Sequence, residues 1–358
     1  RLELIKEQKA PKDFLQGIDF LRLKGFNIEH LSSAKPYKKT FFFKIGKFIE
    51  QFFSKISQIG IRPLSVYQFK KKINNSDYIV SLTDGFSLSL GFYYYFINKK
   101  SKVKIAGAFH RLSDYDTKLS PILKFIYYLA IKKSLSRLDF IFFYGIADQK
   151  NSINHFKIQK QKTSIIKFGV DTSFWKPTIK NTFNSNYLFS IGQDPARDYE
   201  TLLKVKTSKK IHIHTNLLKA RNDENFQITN GNYYKYSGLY TDLKIKEFYQ
   251  NSFAVIVPLK DVFQPSGYSV TLQSMACGKP VILTLSKGIW APKLYKTNEN
   301  CLLVRPYNIT DIENAIEKLI NDKSLYERIS RNARKTVEDF FSVEMANIAT
   351  LELFKKFN

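Results

Sequence analysis

The chain has 358 residues, 44% of them hydrophobic, enough for two domains with substantial cores, and this excludes general disorder. Its formal net charge of +26, from 57 basic and 31 acidic residues, implies anionic surroundings: phosphates, nucleic acid or an acidic membrane. Two cysteines, Cys277 and Cys301, exclude a disulfide framework, and no apolar run of about 18 residues marks a membrane span.

Leu2–Ile5 reads as a first strand, Lys6–Asp13 as a charged loop, Phe14–Lys24 as a helix and Phe26–Leu31 as a second strand. Lys6, Lys9 and Lys12 in that loop are solvated surface lysines or contacts to an anionic acceptor. Phe41–Ile59 has the clearest helical periodicity. Phe41, Phe42, Ile45, Phe48, Ile49, Phe52, Phe53, Ile56 and Ile59 share one arc, and Lys44, Lys47, Glu50, Gln51, Lys55 and Gln58 the other; only Phe43 is out of place. Lys35, Lys38 and Lys39 lie upstream. Such a helix suits either a membrane interface, met by Phe41, Phe48, Phe52, Lys44 and Lys47, or a crossover packed on its own sheet.

Tyr78–Leu82 is a predicted strand followed by Asp84, and Val103–Ala106 is one followed by His110 and Arg111. Polar residues just past the carboxyl ends of parallel strands stand where open α/β sheets bind ligands. Phe86–Ile97 and Pro121–Leu135 are predicted helices, Phe140–Phe143 a strand and Ile146–His155 a helix. The segment Ile165–Pro177 leaves the first domain, and Thr178–Ser185 is a polar linker.

The second half repeats the alternation. Strand Tyr187–Ile191 runs into the loop Gly192–Arg197, and Ile211–Thr215 follows as a strand. His212 and His214 there lack Cys or carboxylate company, which argues against a metal. Tyr240 precedes helix Leu243–Asn251, and Phe253–Pro258 is a strand. Pro265-Ser266-Gly267 opens a helical run closed by Gly278, and Pro280–Leu283 is a buried strand. The amides from Gly267 to Val270, at the positive end of the helix, form a ready site for an anion such as a diphosphate. After strand Cys301–Val304 come helices Asp311–Ile320, Ser324–Phe340 and Val343–Phe357. No Gly-x-Gly-x-x-Gly, Gly-x-Ser-x-Gly or Walker segment occurs at a suitable position.

Ser274-Met275-Ala276-Cys277-Gly278-Lys279-Pro280-Val281 closely resembles the second half of the donor-binding signature of glycosyltransferase family 4. Pro265 and Gln273 stand where that family has its two glutamates. The segment around Gly169-Val170-Asp171 through Pro177 is also similar to a family segment. The resemblance implies a GT-B fold, two Rossmann-like parallel-sheet domains facing a central cleft. The expected bounds are 1–177 for the acceptor domain, 178–342 for the donor domain, and 343–358 for a helix crossing back.

By the same resemblance His110 faces the donor sugar and supports the transition state. Gln193, Arg197, Tyr240, Ser266, Gly267, Tyr268, Ser269, Val270 and Gln273 bind the donor. The amide oxygen of Gln273 keeps the ability to accept from ribose hydroxyls. Asp84 and Arg111 are acceptor contacts. The implied donor is a UDP- or GDP-sugar, with no metal, no separate cofactor and no protein nucleophile, and with retention at the transferred carbon. The basic charge and the Phe41–Ile59 helix point to a membrane-lipid acceptor and a peripheral place on the cytoplasmic face of the membrane. A soluble, polysaccharide or tRNA acceptor, and a non-catalytic sugar-nucleotide module, are the alternatives.

Overall fold

The computed structural model describes the chain apart from residues 1, 16, 32–40, 58–59, 100, 115–119, 180–181, 232–240 and 356–358. The chain packs as two compact units. Residues 1–26, 167–262 and 266–352 form the first; 27–166, 263–265 and 353–358 form the second.

The opening residues differ from expectation. Leu2–Lys6 is a short helix, α1, and not a strand. Three apolar residues in a stretch of four cannot show their period, and Glu3 and Lys6 sit at the ends that the helix dipole favours. Helix α2 spans Ile18–Leu23, and residues 26–31 form no strand.

In the second unit, α3 (Phe41–Ser57), α4 (Pro63–Tyr67) and α5 (Lys70–Ile73) precede the sheet. Strand β1 (Tyr78–Ser81), helix α6 (Asp84–Phe92), a π-helical turn, β2 (Lys104–Phe109), α7 (Pro121–Arg137), β3 (Phe140–Phe143), α8 (Ile146–Phe156) and β4 (Thr163–Ile165) follow. The four strands are parallel in the order β1-β2-β3-β4, with Val80 opposite Ala106, Ala106 opposite Phe140 and Ile141 opposite Thr163. Leu88, Leu90, Ile105, Phe109, Ile131 and Ile141 form the core. These β-branched and aromatic runs are nearly continuous, as covered parallel strands require.

Helix α3 turns its faces the other way from a packed crossover. Phe43, the residue that breaks the apolar arc, is half-buried against the Tyr67 ring, with centroids 6.3 Å apart. Gly46 lies against Leu64, and Glu50 is buried, accepting a hydrogen bond from the Leu64 amide. Five residues of the aromatic arc face outward: Phe41 is 71% exposed and Phe48 70%, with Ile45, Ile49 and Phe52 also exposed. Lys44 and Lys47 are exposed; Lys35, Lys38 and Lys39 lie outside the described residues. On α7, Ile122, Leu123, Phe125, Ile126 and Leu129 are exposed as well.

The first unit holds β5 (Tyr187–Ile191), α9 (Tyr199–Leu202), β6 (Lys210–His214), β7 (Arg221–Asn222), β8 (Phe226–Thr229), α10 (Asp242–Asn251) and β9 (Val255–Val257). Then come α11 (Tyr268–Ala276), β10 (Val281–Thr284), β11 (Leu302–Val304), α12 (Ile309–Asn321), α13 (Lys323–Phe340) and α14 (Val343–Lys355), whose last residues group with the second unit. The sheet order is β11-β10-β9-β5-β6-β8-β7, parallel except for β7 against β8. Leu188, Ile211, Ile213, Ile256, Ile282, Ile316 and Ile329 fill its core. Asp198, Thr241, Asn308 and Asp322 cap α9, α10, α12 and α13 with side-chain oxygens.

Candidate active site

Helix α11 has no such side-chain cap. Its N-cap is Gly267, which brings no side chain to the first turn and sits at φ 80°. A Cβ there would lie 2.7 Å from Val257 Cγ1, so glycine is needed both for the left-handed turn and for the close approach to β9. An uncapped N-terminus presents backbone N–H groups and the positive end of the dipole together.

Arg197 adds a cation at the same place. Its backbone bridges Leu259, flanked by hydrogen bonds from the Lys260 amide to the Ala196 carbonyl (2.9 Å) and from the Asp198 amide to the Pro258 carbonyl (3.1 Å). This lacing sets the guanidinium beside Gly192 and Gly267. A Cβ on Gly192 would collide with it, and one on Gly267 would stand 3.4 Å from Nη1. Arg197 is 5% exposed, and its Nε and Nη1 find no hydrogen-bond partner among the described residues. Two buried guanidinium nitrogens left without acceptors are costly, so their natural complement is an oxyanion.

The neighbouring loop is tied to the same helix start. Ser266 donates to Asp194 Oδ2 (2.8 Å), and the Ala196 amide donates to Asp194 Oδ1 (2.9 Å). Gln193 Oε1 accepts from the Asn216 amide (2.8 Å). Tyr268 packs edge-on against Phe168 and Trp290; Ser269 is half-buried and Val270 buried. Tyr240 lies outside the described residues.

Gln273 occupies a buried polar network. Its Nε2 donates to Asp13 Oδ2 (2.9 Å), and its Oε1 accepts from the Tyr249 hydroxyl (3.5 Å). The Trp175 indole also donates to Asp13 Oδ2 (2.8 Å), and the Asp171 amide to Oδ1 (2.6 Å). Burial pushes the Asp13 carboxyl up to about 7 against these hydrogen bonds. Gln273, expected at ribose hydroxyls, thus spends both amide ends on protein partners. Asp13 escaped the sequence reading because it sits more than two hundred residues from Gln273 in a loop with no motif.

In the second unit the predicted residues converge at the carboxyl edge of the sheet. Asp84 opens α6 just after β1, and its carboxylate accepts from the His110 amide (3.1 Å) and the Arg111 amide (3.2 Å). His110 Nδ1 lies 3.3 Å from Asp84 Oδ2. A proton on Nδ1 makes this a hydrogen bond and leaves Nε2 the lone pair of the neutral ring. Burial alone would raise the Asp84 carboxyl; the His110 ring and the two amides prevail and hold it below its ordinary value. The His110 ring stacks on Tyr144, centroids 4.3 Å apart.

Two residues here were missed, Tyr144 and Asp148. Asp148 is fully buried, accepts from the Ser113 amide (2.8 Å), and is pushed up to about 7 by burial. Both follow β3, so the carboxyl-edge rule that found Asp84 and His110 would have found them too.

This architecture, two units built on parallel sheets with helical crossovers, is the GT-B α/β fold. Solved structures with it are similar over most of the chain. HepE of Anabaena in complex with UDP-glucose is 15% identical and covers 82% of each chain, with a TM-score of 0.63. Sucrose-phosphate synthase of Thermosynechococcus elongatus is 16% identical, covers 92% of this chain and 85% of its own, and has a TM-score of 0.65. A glycosyltransferase of Rickettsia africae is 16% identical over 96% of this chain and 94% of its own, at 0.62.

At the level of sequence, residues 231–336 match the family model "Glycosyl transferases group 1". That stretch contains Ser266, Gly267 and all of α11. An uncharacterized glycosyltransferase of Methanocaldococcus jannaschii is 28% identical over 111 residues, 31% of this chain and 27% of that protein's length.

Proposed function

We propose that this chain is a glycosyltransferase that takes a hexose-type sugar from a nucleotide diphosphate sugar. The observation that carries the reading is the buried Arg197 guanidinium, whose Nε and Nη1 lack acceptors among the described residues, beside the start of α11, which has no side-chain cap. A diphosphate supplies the missing acceptors, and the helix dipole adds to its binding. The family match across α11 supports this, and the UDP-glucose bound by HepE supports a uridine nucleotide in particular.

In this reading the bond between the anomeric carbon and the diphosphate oxygen breaks. The acceptor hydroxyl oxygen forms the new bond with retention, as the family 4 resemblance implies, and its proton leaves on the departing diphosphate. Arg197 and the α11 amides stabilise that leaving charge. His110, oriented by Asp84, hydrogen-bonds the sugar, and Arg111 contacts the acceptor.

The acceptor in this proposal is a membrane lipid. The outward aromatic arc of α3 with its exposed Lys44 and Lys47, and the exposed apolar residues of α7 with Lys124, support it. Each basic residue near an anionic surface adds about 1 kcal/mol. No helix among the described residues is long and apolar enough to cross a membrane, so α3 would lie in the interface.

A panel of nucleotide sugars tests the chemistry: binding of one donor without turnover would leave a sugar-nucleotide module in place of an enzyme. Flotation with phosphatidylglycerol-containing vesicles tests the acceptor. The chain should float with them, and Phe48→Glu with Phe52→Glu should abolish flotation and leave thermal unfolding unchanged, because both side chains are exposed. Equal flotation of the double variant would remove the lipid reading.

A further inference from the structure

The loop 110–114 is held by carboxylates at both ends. Asp84 accepts from the His110 and Arg111 amides, and Asp148 from the Ser113 amide. The loop's own Asp114 then reaches residues 263–265, which pack with this same unit: it accepts from the Phe263 amide (3.1 Å) and from the Gln264 amide. Pro265 is buried against Gly145, where an added Cβ would meet the proline ring at 3.1 Å. So a carboxylate and an apolar contact both hold residues 263–265, and the carboxylate belongs to the loop that carries His110.

The next two residues in the chain are Ser266 and Gly267, which begin α11. Pro265 fixes its own φ, so little slack separates Gln264 from the helix start. From this geometry we infer that Asp114 is a positioning residue. It holds residues 263–265, which precede α11 in the chain, against the loop that carries His110. This inference rests on the transferase reading for its consequence, but its physical core does not.

Two consecutive backbone amides on one carboxylate are charge-assisted hydrogen bonds, and their loss frees the segment to open. The test compares the full chain with Asp114→Ala and Asp114→Asn, the latter keeping one acceptor oxygen. Hydrogen exchange, without substrate, should show the Phe263 and Gln264 amides about tenfold faster in Asp114→Ala, and less so in Asp114→Asn. UDP affinity, read by calorimetry, should stay within about twofold, because the Arg197 site does not use Asp114. The turnover number at saturating donor should fall about 10- to 100-fold in Asp114→Ala and recover in part in Asp114→Asn.

Unchanged exchange at Phe263 and Gln264 would overturn the inference. So would faster exchange with wild-type turnover, or a parallel fall in UDP affinity, turnover and melting temperature, which marks a general structural role. If the wild-type chain turns over no donor, the transferase reading falls by itself, and the exchange result alone decides the role of Asp114.

Discussion

Replacing Arg197 with methionine separates binding from folding. The side chain is 5% exposed, and its Nε and Nη1 lack acceptors among the described residues, so the ligand-free protein carries a desolvated charge only partly compensated. Methionine fills a similar volume without that penalty. Buried ionic groups exchanged for apolar ones gain about 1–4 kcal/mol, and each kcal/mol raises Tm by roughly 2–4 °C at this domain size. The same change removes charged hydrogen bonds to the nucleotide, a loss of about 1.5–3 kcal/mol or roughly 10- to 150-fold in Kd. Thermal unfolding with and without UDP reads both effects. Arg197→Met should melt higher than wild type in the absence of nucleotide and respond far less to it. A variant that melts lower without nucleotide, or that binds UDP as wild type does, would refute the argument.

The buried Asp13 makes stability depend on pH. Its folded value, about 7, lies above the ordinary 3.8, so its contribution is fully present below 3.8 and is lost as pH rises through about 7. The loss approaches about 4 kcal/mol at 1.36 kcal/mol per pH unit. Urea unfolding on either side of this window should show the fall in wild type, and Asp13→Asn should flatten it; an equal slope in both would contradict the assignment. At the start of α11, Gly267→Ala must strain a φ of 80° and press on Val257. It should cost roughly 1–3 kcal/mol in unfolding and weaken UDP binding. Wild-type stability together with wild-type affinity would show that the tight turn is unnecessary.

Much of the second half could be read from its residues. Gly267 and Gly278 bracket α11, Pro280 stands just before β10, and the predicted helices Asp311–Ile320 and Ser324–Phe340 fall within α12 and α13. Local chemistry suffices there, because a helix end needs its own cap whatever packs on it. The opening failed for the converse reason: in Leu2–Lys6 three apolar residues fit either period. Strands β4, β7 and β8 went unassigned because they are two to four residues long and depend on their neighbours for pairing.

The amino-acid order by itself determined the alternation of strands and helices, the glycine at the start of α11, and the carboxyl-edge positions of Asp84 and His110. Periodicity also revealed that α3 has an aromatic and a charged face. Only the tertiary structure decided which face meets the protein: Glu50 is buried with the Leu64 amide of α4, and Phe41, Phe48 and Phe52 are exposed. It also decided that Gln273 pairs with Asp13, and that Arg197 is buried with Nε and Nη1 lacking acceptors among the described residues. Those outcomes depend on contacts between residues far apart in the chain, and no local pattern encodes a distance across a fold.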